Sequence, residues 1–213
     1  MIVEKEILSF KIDSRCNRIH RCIYYKGGEF MSKKVLILIG DAVESLEIYY
    51  PYYRCLEEGL DTTIAASEVR KINTVVHDFT DWETYTEKPG YLIDAHVAFK
   101  DVNPADYDGL IIPGGRSPEH IRMNEHVPDI VSHFFEANKP IASVCHGSLV
   151  LTMVPEHIKN KEMTAYIACK PEVEAAGATY VHEMLHEDGN LVSGHAWPDL
   201  PGVMRMFLKQ LNG

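Results

Sequence analysis

A cysteine followed by a histidine and a glycine, Cys145-His146-Gly147, is the stretch of the chain best suited to chemistry. It directly follows the apolar run from Ile141 to Val144, which is typical of a strand buried on both faces. Helical periodicity resumes after it, so the cysteine is predicted to lie at the tip of a nucleophile elbow, at a helix N-terminus. The partial positive charge of that helix end favours a thiolate and predicts a lowered cysteine pKa. The alternative is a buried structural cysteine.

Two other predicted strand ends supply groups that complement the thiol. The carboxylates Glu44 and Glu47 follow the first strand, and Gly114 and Gly115 follow a later one. Thiolate attack on a carbonyl carbon creates an oxyanion, which the backbone N–H groups of Gly115 and His146 would stabilise. A carboxylic acid beside the sulfur can stabilise the thiolate and later transfer a proton. The alternative for the two carboxylates is a solvated first turn that complements the helix dipole.

The elements that must position these residues alternate between strand and helix. Strands are predicted at 35–39, 62–66, 108–112, 141–144, 179–185 and 191–193, and helices at 45–58, 127–137, 172–176 and 199–211. Short antiparallel strands are predicted at 75–76, 92–93 and 97–99, with residues 83–90 as a loop, and the helix after the elbow is expected to bury Leu149, Val150 and Met153. This alternation indicates a parallel, doubly wound sheet, whose ligands bind at the carboxyl ends of the strands.

The composition limits the classes of protein to consider. At 213 residues, the chain can hold one α/β domain and a small appendage. A formal net charge of −10 and a pI near 5.5 argue against nucleic acid and anionic membranes as partners. Apolar runs fall well short of the ~18 residues of a membrane span, so we expect a cytoplasmic protein. Five widely spaced cysteines predict free thiols rather than a disulfide framework.

Residues 1–30 stand apart from the α/β domain predicted for residues 31–213. They follow no sustained hydrophobic period and are mildly basic. We interpret them as an N-terminal extension that is either not native or disordered, because Met31 opens a stretch typical of the start of an α/β protein. Cys16, His20 and Cys22 fit no standard zinc finger and lack a fourth ligand.

The segment from His182 to His186 satisfies the HExxH pattern of zinc peptidases, whose chemistry requires a helix. Here strand-like residues and the turn signal Asp188-Gly189 predict a β-hairpin, in which residues four apart lie about 13 Å from each other, too far to share one ion. We therefore expect no metal site. The sequence also lacks GxSxG, P-loop and GxGxxG motifs, so we expect no cofactor.

Stretches spread along the chain carry a resemblance to a known family: EIYYPYYRCLEEG at 47–59, KPGY at 88–91, DVNPADYD at 101–108, IPGGRSPE at 112–119, KPIASVCHG at 139–147 and AAGA at 175–178. They resemble the PfpI-type intracellular proteases of the ThiJ/PfpI superfamily, which are relatives of class I glutamine amidotransferases. The resemblance runs from Lys33 to Leu211. It implies a flavodoxin-like α/β sandwich with a mostly parallel central sheet and a nucleophile elbow.

The resemblance implies a role for each of four residues. Cys145 corresponds to the nucleophile, Glu47 to a protonated glutamate that hydrogen-bonds the sulfur, and His146 to the catalytic histidine. Glu119 corresponds to a glutamate that orients this histidine across a subunit interface. The site would then be completed only in a homo-oligomer, either a dimer or a hexamer of dimers.

The resemblance also places Gly115 and the backbone of His146 in the oxyanion hole. The chain departs from the family where substrate is recognised, with Ser148-Leu149 in place of Pro-Gln and His195-Ala-Trp197 where an arginine is common. His195 is interpreted either as catalytic or as a histidine bonded within a loop, and Trp197 as part of a wall. The predicted substrate pocket comprises Gly114, Tyr166, Ser148, His195 and Trp197.

The family includes cysteine peptidases, glutathione-independent glyoxalases that convert methylglyoxal to lactate, and protein deglycases, all of which begin with thiolate addition to a carbonyl. We therefore expect a cysteine-dependent hydrolase that acts on a small aldehyde or a peptide-like carbonyl. The alternative is a redox-responsive stress or chaperone protein in which Cys145 is oxidised to the sulfinic acid. A third possibility is an inactive subunit that keeps the fold.

Overall fold

The computed structural model describes residues 32–213, so the predicted N-terminal extension and the Cys16, His20 and Cys22 cluster lie outside the described residues. The strands are β1 Lys34–Leu38, β2 Val43–Glu44, β3 Asp61–Ala66, β4 Lys71–Asp78, β5 Thr86–Asp94, β6 Val97–Ala98, β7 Gly109–Ile112, β8 Ile141–Val144, β9 Glu162–Met163, β10 Thr179–Tyr180, β11 Leu185–Asp188 and β12 Leu191–Gly194. The helices are α1 Ser45–Glu57, α2 Ser117–Ile121, α3 Val127–Glu136, α4 Ser148–Leu151, α5 Pro155–Ile158, α6 Lys170–Ala175 and α7 Leu200–Asn212.

The central sheet has the strand order β11-β12-β8-β7-β1-β3-β6, and every neighbouring pair except β11 with β12 is parallel. Strands β7 and β8 are buried along their whole length, which is why they read as continuous apolar runs. Helices α1 and α7 cover one face of the sheet, and α3, α4 and α6 cover the other. The predicted α/β fold with a mostly parallel sheet is confirmed.

The helix ends follow the glycine signals in the sequence. Gly59 has φ 79° and follows α1, and Gly177 has φ 90° and follows α6, so both occupy the left-handed region that favours glycine after a helix. The predicted turn at Asp188-Gly189 joins the antiparallel strands β11 and β12. These predictions are therefore confirmed to within a few residues.

Between residues 68 and 99, the antiparallel strands predicted at 75–76 and 92–93 are confirmed as parts of β4 and β5, whereas other predictions are wrong. Residues 86–90 are part of β5 rather than a loop, and β5 pairs with β4 as a long antiparallel hairpin in a separate three-stranded sheet. Strand β5 lies at the edge of that sheet, where a proline such as Pro89 is tolerated and polar side chains face solvent. Strand β6 pairs in parallel with β3, so the predicted antiparallel strand at 97–99 is wrong.

Two further predictions are wrong. The expected strand at 179–185 is two separate strands, because residues 181–184 form an irregular connection between β10 and β11. Met153 lies beyond the short helix α4 and its side chain is 44% exposed, although Leu149 and Val150 are buried as expected.

His182 lies in the connection and His186 in β11, and no group of metal-binding side chains occurs among the described residues. No helix in residues 32–213 is long and apolar enough to span a membrane.

Candidate active site

Cys145 lies at the turn between β8 and α4, with a backbone φ of 57° that is unusual for a residue other than glycine. Its side chain is only 4% exposed. The turn is tight because Gly147 packs directly on β7, where an added Cβ would collide with the carbonyl oxygen of Ile112. The predicted nucleophile elbow is therefore present at Cys145.

Glu47 is completely buried beside the thiol and lies in the first turn of α1. Its Oε2 accepts a hydrogen bond of 2.7 Å from the backbone N–H of Gly114. A Cβ on Gly114 would lie 2.6 Å from this Oε2 and 2.7 Å from the Cβ of Cys145, so only glycine allows the carboxyl and the cysteine to approach each other. Burial, and then the charge of Glu44, raises the pKa of Glu47 to about 8. At neutral pH this carboxyl is therefore protonated.

His146 is the base nearest to the sulfur. Its Nδ1 lies 3.3 Å from the Sγ of Cys145. Burial, and then the neighbouring His77, lowers the pKa of His146 to about 4, so the imidazole is neutral near pH 7. The ring of Tyr166 stacks on the imidazole with a centroid distance of 5.0 Å. A neutral, fixed imidazole in this position can accept the thiol proton.

The backbone N–H groups of His146 and Gly115, which belong to different strand ends, both lower the pKa of the Cys145 thiol and therefore act on the sulfur. Gly115 adopts φ 72°, and an added Cβ would collide with the backbone around Ala42 and Val43. A carbonyl oxygen that replaces the sulfur as their acceptor would be held by both donors. The oxyanion hole stays a prediction, for which these two N–H groups are the candidate donors.

The expected lowering of the Cys145 pKa does not occur in the structure. Burial raises the pKa of the thiol well above its ordinary value, and Glu47 raises it further once this carboxyl is ionised, although the two backbone N–H groups oppose the rise. The three-residue turn that begins at Cys145 and the short helix α4 provide little exposed dipole to offset burial. Reactivity therefore depends on removal of the thiol proton by a base during attack.

The remaining predicted pocket residues surround this centre at different distances. The N–H of Tyr166 donates to the carbonyl oxygen of Cys145 at 3.3 Å. Ser148 is buried behind the elbow, and its hydroxyl makes a long contact of 3.5 Å with the same carbonyl. His195 lies next to Tyr166, with a ring distance of 5.8 Å, and its buried Nδ1 has no hydrogen-bond partner. Trp197 is half-buried and stacks on Phe79 at 5.4 Å.

Glu119 is placed differently from the other predicted residues. It lies on α2 with an exposed side chain, and within residues 32–213 that side chain makes no hydrogen bond or ion pair with His146. Glu47, Gly114, Gly115, Cys145 and His146 therefore meet within one chain, whereas Glu119 does not join them there.

Residues outside the predicted site also reach it. Tyr85, in the connection between β4 and β5, lies against His146 and Tyr166 with ring distances of 6.1 and 5.7 Å. Glu44 is completely buried, caps α1 by accepting the N–H of Glu47 at 3.1 Å, and has one oxygen without a partner. Only the concentration of aromatic residues at 79–85 hinted at the role of Tyr85, because its contacts lie far away in sequence.

Comparisons with known proteins show which family and fold this chain shares. Residues 33–210 match the DJ-1/PfpI family. Protein DJ-1 homolog D of Arabidopsis thaliana is 37% identical over 187 residues, which cover 84% of this chain and 48% of the plant protein. Deglycase PfpI of Pyrococcus furiosus is 35% identical over 178 residues, which cover 84% of this chain and 99% of the archaeal protein.

A solved structure from Anabaena variabilis, a two-domain protein with DJ-1/ThiJ/PfpI-like and ferritin-like domains, superimposes with a TM-score of 0.74 at 28% identity. The match covers 85% of this chain and 48% of that protein. This chain thus spans about half the length of the plant relative and of the cyanobacterial protein. The family match over residues 33–210 confirms the resemblance seen in the sequence, and the chain belongs to the DJ-1/PfpI family.

Proposed function

We propose that this chain is a cysteine-dependent hydrolase that uses the thiol of Cys145 on a carbonyl carbon, with glyoxalase, deglycase or peptidase activity. The chain is an enzyme of the PfpI type, and relatives that it matches over 99% of their length are named deglycases. The observation that carries the mechanism is the position of the sulfur. It lies 3.3 Å from a neutral imidazole and in reach of two backbone N–H donors.

Attack begins with the thiol rather than with a free thiolate. The Nδ1 of His146 takes the proton as the sulfur forms its bond to the carbonyl carbon, and the electron pair of the C=O bond moves onto oxygen. The N–H groups of Gly115 and His146 hold the resulting oxyanion. The protonated carboxyl of Glu47 is a neutral neighbour that can hydrogen-bond the sulfur as charge develops there. The product of this step is a hemithioacetal or tetrahedral adduct.

With an α-oxoaldehyde, the next step moves a proton between two carbons. His146 first gives the thiol proton to the oxyanion and becomes neutral again. It then removes the proton of the former aldehyde carbon and returns it to the adjacent carbonyl carbon, while the hydroxyl proton passes to the neighbouring oxygen, which gives a thioester of a 2-hydroxy acid. Water then hydrolyses the thioester, releasing the acid and restoring the thiol. With a glycated amine, the C–N bond of the hemiaminal breaks first: the amine leaves with the hydroxyl proton, the aldehyde C=O bond re-forms, and that aldehyde follows the same steps. With a peptide-like carbonyl, the amine leaves from the tetrahedral adduct with the proton held by His146.

The proposal includes a homo-oligomer in which Glu119 of one subunit approaches His146 of another. Support comes from the exposed position of Glu119 on α2 and from an exposed group of apolar side chains on α1 and β5. This apolar patch comprises Leu46, Tyr50, Tyr53, Tyr91 and Leu92. The ring of Tyr49 contacts both Tyr53 and Tyr91, so α1 and β5 meet here, and exposed apolar groups of this kind are typical of surfaces that a partner covers.

A substrate panel tests the proposal. Methylglyoxal, methylglyoxal-glycated N-acetyl-lysine and an unfolded protein are incubated with the wild type, Cys145→Ser and Cys169→Ser. Cys169 is the matched control, because it is a buried thiol whose pKa burial raises to about 12. We expect Cys145→Ser to lose at least ~10³-fold in rate on every substrate that the wild type converts, and Cys169→Ser to stay within about threefold.

Equal loss in both variants, or full activity in Cys145→Ser, would contradict the proposal. A wild type that converts none of the substrates, yet oxidises only at Cys145 in mild peroxide, would instead indicate the redox-responsive function. The raised pKa of the thiol does not favour that function, because the thiolate is the form that peroxide oxidises.

A further inference from the structure

Four aromatic side chains form a wall beside the thiol that the proposed mechanism does not use. Tyr85 and Phe79 come from the connection between β4 and β5, and Trp197 lies after β12. Tyr166 lies after β9, and its N–H donates to the carbonyl oxygen of Cys145. We call these four residues the aromatic wall. They come from three separate parts of the chain, so their meeting at one place is a property of the fold and not of a local sequence run.

The aromatic wall forms a right-angled corner next to the sulfur. Tyr166 lies nearly parallel to the imidazole of His146, at an interplanar angle of 28°. The ring of Tyr85 is close to perpendicular to both, with angles of 85° to His146 and 68° to Tyr166. Phe79 extends the wall by stacking on Trp197 at 5.4 Å and 22°. A flat group in this corner would meet one ring face to face and another edge to face, the two arrangements that aromatic groups prefer.

Ion pairs hold Tyr85 in place relative to the oxyanion hole. Glu87, two residues after Tyr85, accepts hydrogen bonds of 2.8 and 2.6 Å from Arg116, which directly follows Gly115. The same carboxylate lies 3.0 Å from the buried ring of His77, and that ring is 4.3 Å from the ring of Tyr85. The hydrogen bond from Arg116 is the main reason that the pKa of Glu87 falls to about 2, so this contact persists at any physiological pH.

The charges around the aromatic wall disfavour an anionic ligand. The guanidinium of Arg116 is already paired with Glu87. Besides Arg116, which also acts on Tyr85, the carboxylate of Glu119 acts on Tyr85 and that of Glu172 acts on His146, so the charged groups near the corner that are not paired with Glu87 are carboxylates. Burial raises the pKa of Tyr85 to about 12, which keeps its hydroxyl neutral. The corner thus offers flat, uncharged faces with an acidic border.

We propose that the aromatic wall determines substrate specificity, selecting α-oxoaldehydes and related carbonyl adducts whose substituent is flat and uncharged, such as an aryl group. Tyr85 is the central specificity residue. This inference rests on the proposed function, because it assigns a substrate class to the same thiol. Aryl substrates are preferred to methylglyoxal, whose methyl group fills little of the corner, and to glyoxylate, whose carboxylate meets the acidic border.

The first test compares kcat/KM for phenylglyoxal, methylglyoxal and glyoxylate. We expect the wild type to favour phenylglyoxal over methylglyoxal by about tenfold, the effect of one good aromatic contact, and glyoxylate to be the poorest of the three. Tyr85→Ala should reduce the phenylglyoxal preference about tenfold, mainly through KM, whereas Tyr85→Phe retains it. Trp82→Ala is the control, because Trp82 lies in the same connection as Tyr85 but is 68% exposed and belongs neither to the aromatic wall nor to the apolar patch. An unchanged preference in Tyr85→Ala would overturn the proposal.

The second test does not need turnover. The α-bromoketones 2-bromoacetophenone and bromoacetone both alkylate cysteine at the carbon that bears bromine, and they differ only in the aryl or methyl group on the carbonyl. Mass spectrometry measures the rate of alkylation at Cys145. We expect the ratio of the aryl rate to the alkyl rate to be about tenfold higher in the wild type than in Tyr85→Ala, after correction for the same ratio on free cysteine. If the wild type converts no oxoaldehyde yet Cys145 is alkylated faster by the aryl than by the alkyl reagent, the proposed function is wrong and the role of the aromatic wall in specificity is supported. If oxoaldehydes are converted and both ratios are unaffected by Tyr85→Ala, the specificity proposal alone is wrong.

Discussion

At the residue scale, the site is neutral around pH 7, because burial shifts its acid and its base in opposite directions. The pKa of Glu47 rises to about 8 and that of His146 falls to about 4, in each case mainly because the charged form would lose its hydration. Between these two values, a protonated carboxyl, a neutral imidazole and a thiol face one another. An acid and a base with widely separated pKa values are a typical arrangement for proton transfer in catalysis.

The pH dependence of kcat/KM follows from these directions. Activity needs a neutral His146, so it falls as the pH drops through about 4, and it needs a protonated Glu47, so it falls as the pH rises through about 8. Glu47→Gln keeps a neutral group that can accept the N–H of Gly114, and should remove the alkaline limb without moving the acid limb. The groups that face this carboxyl are Glu44, Cys145 and Asp199. An alkaline limb that is unchanged in Glu47→Gln would assign that limb to a group other than Glu47.

At the scale of the elements, the sequence was informative wherever a segment is buried on both faces. Strands β7 and β8 and the elbow between β8 and α4 followed from uninterrupted apolar residues and a glycine. Short antiparallel strands at 75–76 and 92–93 were predicted, but the full length of the β4 and β5 hairpin was not, because β5 is an exposed edge strand with polar residues and contains Pro89 and Gly90. Gly90 is required by close packing of β5 on Ser45 and Thr74, a tertiary contact that no local pattern reveals.

In the site, too, features that follow from the local sequence were predictable and features that depend on tertiary contacts were not. Cys145, His146, Glu47, Gly114 and Gly115 were predictable, because strand ends with polar or glycine residues meet at one edge of a parallel sheet. The direction in which the pKa of Cys145 shifts was not predictable, since burial by neighbouring elements outweighs the local dipole of α4. Tyr85 was missed because its position depends on a tertiary contact, the ion pair between Glu87 and Arg116.

The elbow depends on the contact between Gly147 and β7. A methyl group at Gly147 would collide with the carbonyl oxygen of Ile112 and approach the hydroxyl of Ser143 to 2.9 Å, although the backbone φ of −54° is itself acceptable for alanine. We expect Gly147→Ala to lower the free energy of unfolding by about 1–3 kcal/mol and to reduce activity by displacing Cys145. Urea denaturation measures the first effect. Gly202→Ala is the control, since its added methyl group would meet only the flexible end of the Leu185 side chain, and an equal stability for the two variants would show that the contact is unimportant.

At the scale of the whole molecule, the proposed site is shared between subunits, with Glu119 supplied by a partner. Mixing two inactive variants tests this arrangement. Cys145→Ser and Glu119→Gln are each expected to be impaired, whereas a mixed dimer contains one site that combines Cys145 of one subunit with Glu119 of the other. Random mixing should therefore restore about a quarter of wild-type activity. A mixture no more active than the mean of the separate variants would place Glu119 outside the site of the partner.

The most direct test of the central claim is the identification of the atom that bonds to the substrate. Wild-type protein is mixed with ¹³C-labelled methylglyoxal, quenched in acid within the first turnovers, and mapped by peptide mass spectrometry, with Cys145→Ser treated in parallel. We expect a labelled adduct on the peptide that contains Cys145 and a normal turnover rate when the quench is omitted. An adduct confined to Cys55, Cys169 or a lysine, or turnover by Cys145→Ser at the wild-type rate, would contradict the assignment of Cys145 as the nucleophile.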